Sequence, residues 1–184
     1  EALAAAKAAG WKVKALDGET LLQQRLTLDR TTDYRKQLRR LQILRKLGVT
    51  VDFSYYLEQL KLPEEAPLYH RLQQMELAAD CGLPWSRDSL DAVGVETLSG
   101  SVYFDDDGRY RSLFYDPIAT TLLADQLRRR DSTSVGTDLR PIQNYFFENR
   151  PTGYWRNTYE AARIIATLLD DLLAEDPLDP PELR

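Results

Sequence analysis

The 184-residue sequence holds one cysteine, one histidine and one methionine. Cys81 therefore has no partner for an internal disulfide and cannot anchor a cysteine-rich zinc site. With His70 alone, zinc sites built on several histidines are excluded, and any Ser-His-Asp triad would have to run through it. His70 lies in Leu68-Tyr69-His70-Arg71-Leu72, where a surface or helix-face histidine is expected. No apolar run approaches the roughly 18 residues needed to span a bilayer, so no direct membrane insertion is expected. A Gly-rich phosphate cradle and a nucleophile elbow are both missing from the sequence. Basic residues are outnumbered 24 to 29 by acidic ones, a net charge of -5 that speaks against nucleic acid as a partner.

What is present fits a folded helical chain. Hydrophobic residues at 43% and charged residues at 29% are ordinary globular values and exclude disorder and collagen. The sequence opens on Glu1-Ala2-Leu3-Ala4-Ala5 and closes on Asp176-Pro177-Leu178-Asp179-Pro180-Pro181, where each proline resists helix. It reads as an excised piece of a longer protein, with 1–176 as a single helical domain and 177–184 as a Pro-rich tail or linker.

Leucine is abundant and valine scarce, and the strongest periodicities are helical. Tyr34, Leu38, Leu41, Leu44 and Leu47 form one stripe of an amphipathic helix, with Asp33 at its start and Gly48 as its stop. Arg35, Lys36, Arg39, Arg40, Arg45 and Lys46 fill the opposite, solvated face. Further helices are expected over Phe53 to Leu60, Pro67 to Ala79 and, shorter, Ser86 to Val95. A small β-hairpin is expected near 101–115, its arms Ser101–Phe104 and Arg109–Tyr115, its tip Asp107-Gly108. Asp116-Pro117 then supplies an N-cap and a first-turn proline for a helix with Ile118, Ala119, Leu122, Leu123 and Leu127 on its apolar face. Thr137-Asp138 caps a helix carrying Leu139, Ile142, Tyr145, Phe146 and Phe147 that ends near Arg150. After a turn at Pro151-Thr152-Gly153, Asn157-Thr158-Tyr159-Glu160 forms a variant capping box before the last long helix. The apolar positions from Ala161 to Leu173 cover roughly 200° of that helix, which predicts packing on most of its sides.

An internal echo links two of these starts. An aromatic turn, a polar cap and an apolar helix occur at Tyr115-Asp116-Pro117-Ile118-Ala119 and again at Trp155-Arg156-Asn157-Thr158, about forty residues on. Repeated helix pairs with uncovered apolar faces must stack, as an open solenoid or a closed ring.

No residue pattern selects a catalytic, cofactor or metal site, and none is expected. Asp105-Asp106-Asp107-Gly108 lacks the alternating ligands and the sixth-position glycine of a calcium loop. Asp170-Asp171, with Glu175 and Asp176, lies on a polar helical arc that reads as solvated. Among 29 acidic residues no spacing singles out a glycosidase pair.

The segments Ile142–Arg150 and Thr152–Glu160 resemble the helix, Gly-x-Trp-x-Asn-Thr turn and next helix of the bacterial alpha-2-macroglobulin family. The likeness covers about the last third of the chain, extends loosely to Asp116-Pro117 and Thr120-Thr121, and hardly reaches the N-terminal part. It implies a mainly all-α fold, a fragment of the thioester-type α/α toroid (terpenoid-cyclase-like), with helical hairpins in a partial ring. It further implies a structural and binding role in a large extracytoplasmic protein, at the periplasm or cell surface. That protein entangles proteases as its targets, and the other domains of the same long chain are this segment's partners. The motif residues Gly153, Trp155, Asn157, Thr158 and Glu160 then keep the fold. Trp155 wedges between helices, Asn157 caps, and Thr158 with Glu160 completes the first turn. Members that trap proteases covalently form a thioester between a Cys and a Gln three residues later. Cys81-Gly82-Leu83-Pro84 has Pro84 at that place and cannot form it. Either the motif lies before Glu1 or the protein belongs to a thioester-lacking branch. Two other classes stay open: a toroid enzyme acting on polysaccharide or an isoprenoid, and a helical-repeat scaffold binding a peptide.

Overall fold

Leucines three and four residues apart build the first part of the chain. The computed structural model describes residues 9–11, 33–106, 116–130, 139–150 and 153–175, without the side chains of 170–175. Those residues form seven helices and one two-stranded antiparallel sheet, so the fold is mainly helical. The chain divides into two compact units, Glu1–Arg87 and Asp88–Arg184, described in turn.

In the first unit, α1 (Tyr34–Leu47) buries Leu38, Leu41 and Leu44. Asp33 Oδ1 caps it by accepting from the Arg35 N–H at 3.1 Å. The Arg35 side chain also donates to that oxygen, and this bond is the main cause holding the Asp33 carboxyl below its usual range. At the other end Gly48 adopts φ +71°, and the N–H groups of Gly48 and Val49 reach the Arg45 and Leu44 carbonyls. A left-handed residue there satisfies carbonyls the helix leaves open, which is why glycine suits the position. Helix α2 (Phe53–Gln59) starts at Asp52, whose Oδ1 accepts from the Tyr55 N–H at 3.0 Å. Helix α3 (Leu68–Asp80) follows Pro67 and packs against both α1 and α2. Leu38, Leu41, Leu60 and Leu77 form the core, with Tyr34, Phe53 and Tyr56 against it.

Two expectations for this unit meet different outcomes. Arg35, Lys36, Arg39, Arg45 and Lys46 are exposed, as a solvated face requires, while Arg40 is half-buried, and Arg45 also donates to the Asp80 carbonyl at the C-terminal end of α3. His70, expected on the surface or on a helix face, lies on a face of α3 that is covered, at 5% exposure. Its Nδ1 lies 3.2 Å from the Tyr34 hydroxyl and its ring meets Tyr34 edge-on, so an aromatic partner on α1 draws the imidazole inward.

The second unit begins with the short helix α4 (Arg87–Asp91), which overlaps the boundary. Val95 was expected inside this helix but stands in β1 (Val95–Glu96), which pairs with β2 (Val102–Tyr103) in the register Val95↔Tyr103 and Glu96↔Val102. The arm at 101–104 thus pairs with residues upstream of it. The cause is the Thr97–Ser101 turn: the Thr97 N–H donates to the Ser101 carbonyl at 2.8 Å, and Thr97 Oγ1 accepts from the Ser101 N–H at 3.1 Å. The expected tip at Asp107-Gly108 and the arm Arg109–Tyr115 lie outside the described residues.

Helix α5 (Pro117–Arg130) is buried all round from Ile118 to Asp125, more fully than one apolar face requires. Its threonines make this possible. Thr121 Oγ1 accepts from the Phe104 N–H at 3.0 Å, and the Thr120 hydroxyl donates to the Asp116 carbonyl at 3.0 Å. Helix α5 packs against β2, α6 (Arg140–Glu148) and α7 (Thr158–Glu175). Leu139 stands at the N-cap of α6 without a side-chain bond, while Thr137-Asp138 lie outside the described residues. Tyr103 stacks on Tyr145 of α6 at 5.0 Å, and the Ser101 hydroxyl donates to Glu148 Oε2 at 2.5 Å.

Helix α7 corrects the expectation of packing on most sides. Ile164 and Leu168 are buried, but Ala162, Ile165, Ala166 and Leu169 on the opposite side are exposed, Ile165 by 49%. No helix of the described residues is long and apolar enough to cross a membrane.

Candidate functional site

The α6–α7 corner gathers the residues that carried the resemblance. Gly153 turns the chain with φ +82°, a backbone region that glycine reaches without strain. The Trp155 indole N–H donates to the Phe146 carbonyl at 2.9 Å, which satisfies an open acceptor in the last turn of α6. The Arg150 guanidinium lies 5.1 Å above the Phe147 ring and 5.0 Å above the Trp155 ring. Trp155 is half-buried against the C-terminal turn of α6 and fixes where α7 begins.

At the start of α7, Asn157 Oδ1 accepts from the Glu160 N–H at 2.8 Å, a side-chain N-cap. Glu160 reaches back as in a capping box, but its Oε1 accepts from the Arg156 N–H at 3.3 Å, one residue before the cap. Thr158 is the first helical residue and is exposed.

Arg156 was not singled out in the sequence, yet it ties the corner together. Its Nη2 meets Glu160 Oε2 at 2.9 Å and also donates to Asp116 Oδ2. Asp116 Oδ1 in turn accepts from the Ala119 N–H at 2.8 Å and so caps α5. One guanidinium thus joins the N-terminal ends of α5 and α7, the two starts that echo each other in sequence. The arrangement has an electrostatic logic. Two helix N-termini side by side bring like partial charges together, and the buried carboxylates of Asp116 and Glu160 oppose them. Arg156 then neutralises carboxylates that burial would otherwise penalise. Desolvation on its own would lower the Arg156 pKa. The Asp116 hydrogen bond and charge, with those of Glu160, outweigh it and raise the value, so the group stays a cation.

The chemistry this corner can perform follows from how its atoms are used. Both oxygens of Asp116 and both of Glu160 are engaged by helix N–H groups or by Arg156, so these carboxylates serve helix ends and the link between them. Elsewhere, burial pushes the Cys81 thiol up, the opposite of an activated nucleophile. No group of three or more His, Cys, Asp or Glu able to hold a metal ion occurs among the described residues. Asp125, fully buried on α5, pairs with Arg129 at 2.6 Å and is a second charge pair that sequence spacing did not flag as internal.

Comparison with known proteins leaves the geometry to stand alone: no protein-family model, no curated protein and no solved structure matches this chain.

Proposed function

We propose that this chain is a structural and binding segment of a large, extracytoplasmic bacterial alpha-2-macroglobulin-like protein, part of a thioester-type α/α toroid. One observation carries the reading. In the corner from Gly153 to Thr158, the Trp155 indole N–H and the Asn157 amide oxygen serve helix ends, and the Arg156 guanidinium links α5 to α7. That is the work of a joint between successive helical hairpins. The exposed Ala162, Ile165, Ala166 and Leu169 face of α7 also supports it, since a helical layer that continues into neighbouring parts of a long chain needs such a face. In this reading the segment does no chemistry of its own, and its partners are the other domains of the same chain.

The test uses the full-length protein that contains this chain, incubated with trypsin. Physical entanglement should block cleavage of a large protein substrate while hydrolysis of a small chromogenic peptide continues. Loss of both activities would indicate an active-site inhibitor, and loss of neither would remove the trapping role; either result overturns the proposal.

A further inference from the structure

An open groove of about 660 Å³ crosses the first unit between α2, the Leu62-Pro63-Glu64 loop, α3 and the Leu83-Pro84-Trp85 stretch. Leu57, Leu62, Met75, Ala78, Leu83 and Trp85 give it a half-buried apolar surface. That volume falls within the range of sites that hold small ligands or peptide side chains. Its charged side chains are two carboxylates and one cation. Glu58 and Glu64 are exposed carboxylates on its border with no ion pair or hydrogen bond among the described residues. Gln74 donates Nε2 to the Leu60 carbonyl at 3.4 Å and keeps its amide oxygen available. Arg71, the cation among the lining residues, donates Nε to the Ala66 carbonyl at 3.1 Å. The Trp85 indole N–H has no acceptor among the described residues.

An apolar trough whose lining has a net negative charge, with two carboxylates outside any ion pair and a spare amide oxygen, complements a chain that brings apolar anchors and cations. A backbone carbonyl of such a chain would take the indole N–H. We propose that this groove docks a peptide segment in which apolar anchors alternate with Lys or Arg. Leu57, Met75 and Trp85 receive the anchors, and Glu58 and Glu64 select the positive charge. The inference does not depend on the function proposed above.

Fluorescence anisotropy of a dye-labelled amphipathic peptide of Leu and Lys, titrated with the whole chain, tests it. A second peptide with Glu for every Lys is the counter-probe. The Leu/Lys peptide should bind about ten-fold or more tighter than the Leu/Glu peptide, because like charges at a docking surface exclude the wrong partner. Glu58→Lys with Glu64→Lys should weaken the Leu/Lys peptide by about ten-fold. Glu58→Gln with Glu64→Gln, gentler on the fold, should weaken it less than the Lys pair. A third peptide that keeps every Lys but carries Ser for every Leu should bind the unsubstituted chain about ten-fold or more weakly than the Leu/Lys peptide, because without apolar anchors only screened charge remains. Equal binding of the Leu/Lys and Ser/Lys peptides would mean general attraction to an acidic protein, and no binding by the unsubstituted chain would mean an idle groove. Either outcome overturns the proposal.

Discussion

Leu38, Leu41, Leu60 and Leu77 close the first unit, and His70 is the one polar side chain buried there among the described residues. The second unit buries Asp116, Asp125 and Glu160 beside its apolar core. Both are helical and both bury large aliphatic side chains, so the difference lies in what sets the helix positions. Apolar burial is non-directional and tolerates small shifts of one helix over another. An ionic link is directional, because a carboxylate left without its partner costs several kcal/mol in a dry setting. The first unit is therefore expected to respond to lost volume, and the second to lost geometry.

The largest expected effect tests the first half of that contrast. Leu41→Ala removes a side chain at 1% exposure and should destabilise the chain by about 3 kcal/mol in chemical denaturation. A loss below about 1 kcal/mol would mean that the leucine core collapses around the gap. Next, Arg156→Met keeps much of the side-chain volume but leaves Asp116 and Glu160 without their cation. With the Arg156 side chain 52% exposed, solvent screening discounts the penalty to about 2 kcal/mol. Smaller again, Asn157→Ala should cost about 1 kcal/mol through the lost cap, and Asn157→Asp should retain most of it.

The smallest effect concerns pH in the first unit. The Arg35 hydrogen bond lowers the Asp33 pKa in the folded state. The contribution is therefore complete above the unfolded value and is lost as pH falls through the lower, folded one. An NMR titration should place the Asp33 carboxyl midpoint below 3.8, and Arg35→Ala should move it upward.

The two units also differ in how much of them the sequence discloses. The stripe of Leu38, Leu41 and Leu44 reads directly, because helical period and buried face coincide, and Asp33 and Gly48 mark the ends of α1 with local chemistry. His70 did not read so, because the group that buries it, Tyr34, stands 36 residues earlier. Val95 escaped because a two-residue strand has no period to detect. In the second unit Asn157 and Glu160 announced the cap of α7, since an N-cap bond spans three residues. Arg156 stayed hidden because its partner Asp116 lies 40 residues upstream, and spacing at that distance carries no signal. The wide apolar arc of α7 was visible, but periodicity does not say which half is covered. Only packing against α5 shows that Ile164 and Leu168 turn inward while Ile165 and Leu169 remain outside.

The joint between α5 and α7 is tested most directly by a double-mutant cycle on Asp116→Asn and Arg156→Met, followed by chemical denaturation of the whole chain. If the guanidinium holds the two helix starts together, the coupling energy should reach about 1 kcal/mol or more. Effects that add to within about 0.4 kcal/mol would show that the helices dock without this link and would contradict the account.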